Sequence, residues 1–99
     1  MLLLGSALLV ACQDRHAQFM AKKLPEGMRD DFLEYYGEGG YKAFAMAIDD
    51  DNWVFATAYN ARTQASADEW AMYRCIRYRH SKGVTSTCRI FAKGNDYAD

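Results

Sequence analysis

A chain of 99 residues, 51% of them apolar, has material for one small domain and no second core. Its formal net charge of -1 lacks the basic excess with which nucleic-acid-binding domains neutralise phosphate, so no nucleic-acid partner is expected. One proline and seven glycines leave little from which to build linkers or low-complexity tracts.

The first element is an apolar run over residues 2–11, interrupted by Gly5 and Ser6. A helix that crosses a bilayer needs roughly 20 such residues, so this run is too short to span one. Its length suits the apolar core of a secretory signal, roughly 7 to 15 residues closed by small side chains. Leu9-Val10-Ala11-Cys12 resembles the bacterial lipobox. That resemblance implies a lipoprotein signal peptide over residues 1–11 and a lipid on the Cys12 sulfur, which becomes the anchor in the membrane. Gln13, rather than aspartate, follows the cysteine, which implies the outer membrane, facing the periplasm. The sequence departs from the pattern upstream, where no Lys or Arg precedes the run. In the competing reading, residues 2–11 are a buried strand or helix and Cys12 is a core thiol.

Residues 12–24 are a tether or a first short helix with Phe19, Met20 and Leu24 as its apolar positions. A single domain is expected over residues 25–99. It opens with a helix: Pro25 suits a first turn, Met28, Phe32, Tyr35 and Tyr36 repeat at helical spacing, and Gly37 can end it. "YKAFAMAI" alternates Phe44, Met46 and Ile48 against a face of small residues, "DDDN" makes a turn, and "WVFATAY" alternates again, so the pair reads as a β-hairpin. The alanine-rich faces are where a helix can approach closely.

The main helix lies in "TQASADEWAMYRCIRYRHSKG". Thr63 or Ser66 can cap it, Ser66 with Glu69 in capping-box spacing. Ala67, Ala71, Cys75 and Tyr78 form the expected core stripe, flanked by Trp70 and Met72. Basic residues crowd the last turn, where they offset the helix dipole, and Gly83 can end it. In "TCRIFAK", Cys88, Ile90 and Ala92 are expected inward and Arg89 and Phe91 outward. The expected fold class is therefore α+β, a small antiparallel three-stranded sheet of hairpin, helix and strand, packed by one main helix, with an additional N-terminal helix.

Three cysteines are odd in a secreted chain. Lipidation of Cys12 leaves Cys75 and Cys88 free to form a disulfide in an oxidising compartment. The alternative is two reduced, buried thiols in a cytosolic protein. Zinc is disfavoured because His16 and His80 lack paired ligand spacing.

Residues 41–93 resemble a group of small bacterial envelope domains, many of unknown function. The matching pieces are "KAFAMAIDDDNWVFATAYN", "TQASADEWAMYRC" and "CRIFAK". The resemblance implies a cysteine-paired secreted domain and carries no activity with it. The turn departs from the group's frequent Asp-Gly.

Few residues suggest chemistry. Asp49, Asp50 and Asp51 offer oxygen ligands of the kind calcium takes, but the EF-hand spacing is absent and a solvated turn is expected. His80 has no nucleophile or carboxylate at a motif spacing, so no catalytic residue, metal or cofactor is expected and the chain is read as no enzyme. Charge is lopsided: residues 26–52 carry eight acids against Arg29 and Lys42, a net -6, while residues 62–89 carry six bases against Asp68 and Glu69, a net +4. Either the two regions neutralise each other or a basic, aromatic surface of Trp70, Tyr73, Arg74, Arg77 and Tyr78 meets a partner, since Trp, Tyr and Arg anchor interfaces. The expected function is a non-enzymatic, lipid-anchored envelope protein acting as a protein-binding accessory subunit, inhibitor or immunity factor. The alternative is a structural module that binds peptidoglycan or lipopolysaccharide, an anionic envelope polymer.

Overall fold

The computed structural model describes residues 15–98, which form two compact units that divide after Glu34. The lipobox residues and Cys12 lie outside the described residues. None of the helices among the described residues is long and apolar enough to cross a membrane.

In the first unit, residues 15–21 form helix α1. Ala17, Met20, Ala21 and Leu24 are buried at i, i+3, i+4 and i+7. Phe19, expected among the apolar positions, falls off that stripe and is exposed, with the Lys23 ammonium 5.0 Å from its ring centre. Helix α2 (Glu26–Tyr36) starts directly after Pro25, whose carbonyl accepts the Met28 N–H at 2.9 Å, and stops before Gly37 as its pattern predicts. Met28, Phe32 and Tyr35 are buried along it.

The second unit is built on an antiparallel sheet of β1 (Tyr41–Ile48), β2 (Trp53–Ala61), β3 (Arg89–Lys93) and β4 (Asp96–Tyr97), in the order β2-β1-β3-β4. The class is the expected α+β, but the sheet has four strands rather than three. The fourth is two residues long and follows β3 after Gly94 and Asn95. The hairpin closes on Asp50 and Asp51, with the Asp49 N–H donating to the Asn52 carbonyl at 2.7 Å. Among the described non-glycine residues, Asn60 is the one with positive φ, so this turn uses no left-handed residue.

Register slips by one residue twice. Opposite Tyr41 and Ala43 the extra residue lies in β2, where Asn60 takes φ 54°. Gly40 must be glycine beside it: at φ 76°, a Cβ there would sit 2.8 Å from Asn60 Oδ1. The second slip lies in β3, where Ile90 pairs with Ala45 but Ala92 pairs with Phe44. Strict alternation puts Phe91 outward and Ala92 with Cys88. Because of the bulge Ala92 shares the side of Phe44, and Phe91 is buried with its ring 6.1 Å from that of Phe44.

One sheet face is almost entirely small. Ala43, Ala45, Ala47, Val54, Ala56 and Ala58 pack with Ala67, Ala71 and Cys75 of helix α3 (Gln64–Lys82), joined by Val84 and Cys88. Thr63, not Ser66, is the N-cap: its Oγ1 accepts the Ser66 N–H at 3.1 Å, so the helix begins at Gln64. Gly83 ends α3 in the left-handed conformation, as expected. Cys75 and Cys88 are joined in a disulfide inside this small-residue core. Their expected pairing therefore holds.

The opposite face carries rings. Phe44 stacks on Phe55 at 5.3 Å and meets the edge of Tyr35 at 5.4 Å. The Tyr35 hydroxyl donates to the Gly94 carbonyl at 2.6 Å. Beside it is a buried lysine: Lys42, 2% exposed, donates from Nζ to the carbonyls of Tyr35 (2.9 Å), Tyr36 (2.8 Å) and Glu38, while lying 4.7 Å from the Tyr35 ring centre. Three ammonium protons thus meet three carbonyls at and just beyond the end of α2. Burial pushes its pKa below the ordinary lysine value, while Glu38 pulls it up.

Two outcomes are expected. Lys42→Met should lower stability by about 2 to 3 kcal/mol in urea melts, the scale of hydrogen bonds to a charged donor with their acceptors left dry. Replacing both Cys75 and Cys88 by alanine should cost about 2 to 3 kcal/mol in the same assay, the chain-entropy figure for a short loop.

Candidate functional site

The outer side of α3 follows from its inner side. Alanines at positions 67 and 71 let the helix lie close to the sheet, and the residues that do not fit this narrow seam face away from it. Trp70 is 52% exposed, Tyr73 53% and Tyr78 48%, and Arg74 and Arg77 are exposed with them. Trp70, Tyr73, Arg74 and Arg77 recur at i, i+3, i+4 and i+7, one stripe of a helix, and all five residues line a single surface depression together with Ser81.

These side chains are held in place. The Arg74 guanidinium lies 5.5 Å from the Trp70 ring centre and donates from Nη1 to the Thr57 carbonyl at 2.8 Å. Arg77 repeats the contact one turn on, 5.7 Å from the ring of Tyr73, with Nη1 3.5 Å from its hydroxyl. Trp70 and Tyr73 meet edge to face at 5.9 Å. The result is a ladder of alternating rings and guanidinium groups. It presents flat apolar surface with positive charge laid over it, and its order reduces the side-chain entropy that binding costs.

Tyr78 departs from the expected core stripe. It lies in angular line with Ala67, Ala71 and Cys75, but by that turn the helix has reached the edge of β2. There Tyr78 lines a cleft of about 240 Å³ with Trp53, Val54, Phe55, Ser81 and Lys82. Trp70, expected to flank the core, is on the outer surface, while Met72 does pack against the core.

The acidic turn has a role that the sequence did not reveal. Asp49, read as part of a solvated turn, accepts at Oδ2 from the Thr85 N–H (2.8 Å) and hydroxyl (3.2 Å). Its Oδ1 accepts from the Ser86 N–H (2.8 Å) and lies 2.6 Å from the Ser86 hydroxyl. The carboxylate latches the hairpin tip to the segment after α3. Asp50 and Asp51 are exposed, and among the described residues no three His, Cys, Asp or Glu side chains gather where they could hold a metal ion. His80 is exposed in the last turn of α3. At the same end, Asn52 Nδ2 donates to the Lys82 carbonyl at 2.7 Å.

An ion pair joins β3 to α3, with Lys93 Nζ 3.2 Å from Asp68 Oδ2. Asp68 also accepts from Gln64 Nε2 at 2.9 Å.

Compared with protein families, curated proteins and solved structures, the chain matches none. The site therefore rests on its own geometry.

The latch makes a pH prediction. Hydrogen bonds, that of the Ser86 hydroxyl first, hold the Asp49 carboxyl down at about 2, against an ordinary value of 3.8. A carboxylate with a depressed folded pKa stabilises the fold above its unfolded pKa, and that contribution disappears as pH falls through the folded value. Thermal melts should therefore lose stability between about pH 4 and pH 2, and Asp49→Ala should remove this part of the loss while lowering Tm at neutral pH.

Proposed function

We propose that this chain is a lipid-anchored protein of the bacterial envelope, without catalytic activity, that binds another protein through the outer face of α3. The lipobox at residues 9–12 supports the anchor. The observation that carries the binding reading is the exposed, ordered ladder of Trp70, Tyr73, Arg74 and Arg77. Tryptophan, tyrosine and arginine dominate the energetic centres of protein interfaces, where broad rings gain contact area at small entropic cost. The small disulfide-tied domain supplies a rigid mount for such a face. A protein partner is favoured over an anionic polymer because the face offers broad ring surface as well as charge, Trp70 and Tyr73 being exposed beside Arg74 and Arg77.

The test is made in intact bacteria with a photoreactive amino acid at position 73. A discrete adduct lost with Trp70→Ala and Arg77→Glu, and kept with the distant Arg89→Glu, is the expected result. Unchanged adducts in the first two variants would overturn the docking face. Intact mass of the membrane fraction should show residues 1–11 removed and acyl mass on Cys12; an unmodified chain beginning at Met1 would overturn the anchor.

A further inference from the structure

Strand β2 is an edge, nine residues long, and among the described residues no strand lies on its outer side. Which of its main-chain groups face outward follows from the turn. The Asp49 N–H bonds the Asn52 carbonyl, so by antiparallel alternation Val54 and Ala56 bond across to Ala47 and Ala45. The N–H and C=O groups of Trp53, Phe55 and Thr57 point to the free edge.

Helix α3 runs along that edge in the opposite direction. Arg74 Nη1 donates to the Thr57 carbonyl at 2.8 Å, and Lys82 Nζ donates to the Trp53 carbonyl at 3.2 Å. Eight helical residues rise about 12 Å and four strand residues about 13 Å, so helix and edge stay in step. Two cations occupy carbonyls that a neighbouring strand would otherwise bond. Between them lies the cleft of Trp53, Phe55 and Tyr78, with the Lys82 ammonium 5.0 Å from the Trp53 ring centre.

We propose that this edge takes up an extended, acidic segment of the partner protein as a fifth strand, in the groove between β2 and α3. The proposal rests on the protein-binding reading above and specifies what is bound. An added strand supplies main-chain hydrogen bonds to Trp53, Phe55 and Thr57, and its alternate side chains face the helix. Acidic side chains at i and i+4 on that side draw Arg74 and Lys82 off the carbonyls and pair with them. The residue at i+2, apolar, enters the cleft against Tyr78. A second copy of this chain is the poorer occupant: two antiparallel β2 edges would bring the Arg74 of each copy against the Lys82 of the other, like charge on like. Cationic residues on an edge strand are a recognised defence against such self-pairing.

The probe is a fluorescein-labelled heptapeptide that alternates threonine with, in order, glutamate, leucine and glutamate, titrated into the full chain and followed by anisotropy. Saturable binding is expected. A peptide N-methylated on the amides that face the edge should bind at least about tenfold more weakly, the effect of losing roughly one net hydrogen bond. Thr57→Pro removes one outward N–H and leaves the ladder to β1 intact, so it should weaken binding to a similar degree with the melting curve little changed. Lys82→Glu should shift preference to the peptide with lysine in place of glutamate. No binding, or binding indifferent to N-methylation, overturns the proposal. So does sedimentation as a dimer that Thr57→Pro dissociates, which would make a second copy the occupant. Thr57 and Lys82 lie outside the Trp70–Arg77 ladder. A crosslink at position 73 that persists while the peptide fails would therefore sink the fifth strand and leave the docking face standing.

Discussion

Close approach of α3 to the sheet is the constraint on which the rest of the second unit depends. It is possible because the seam is alanine on both sides: Ala43, Ala45, Ala47, Ala56 and Ala58 on the strands, Ala67 and Ala71 on the helix. Small side chains bring little hydrophobic area each, so the seam gains its strength from dispersion contacts at short range and from being dry. Larger residues have no place in it without pushing the layers apart. The Cys75–Cys88 disulfide sits in the same seam, covalently tying α3 to the residue that leads into β3.

The seam also decides where the large side chains go. The rings of Phe44, Phe55, Phe91 and Tyr35 gather on the far face of the sheet, and those of Trp70, Tyr73 and Tyr78 lie on the outside of α3. A helix this near the sheet is also near the edge of β2, so Arg74 and Lys82 can reach main-chain carbonyls of that strand. Exposed face and strand edge are two results of one packing choice.

Much of this was legible from residue patterns. Alternation in "KAFAMAI" and "WVFATAY" located both hairpin strands, and the small face announced a closely packed helix. The odd cysteine count pointed to the pair that forms. What escaped had no periodic signal. A two-residue strand is too short to alternate, and the bulge that turns Ala92 to the side of Phe44 is a local insertion that a period-two pattern cannot register. Lys42 stands between Tyr41 and Ala43 as an ordinary charge, and its role depends on a helix end six and seven residues upstream. Asp49 was read as solvated because its partners are 36 and 37 residues away. The face on α3 was legible in residue type and spacing. The cleft at Tyr78 was not, because helical angle alone does not say where a sheet ends.

Lys42 gives the molecule an internal reporter. An amine enclosed by three carbonyls and two tyrosine rings is shielded from acylating reagents while those contacts last. Lys22, by contrast, is exposed to solvent. The order in which amines are acylated would therefore separate motion at the surface from opening around the end of α2, a distinction that a global melting curve averages away.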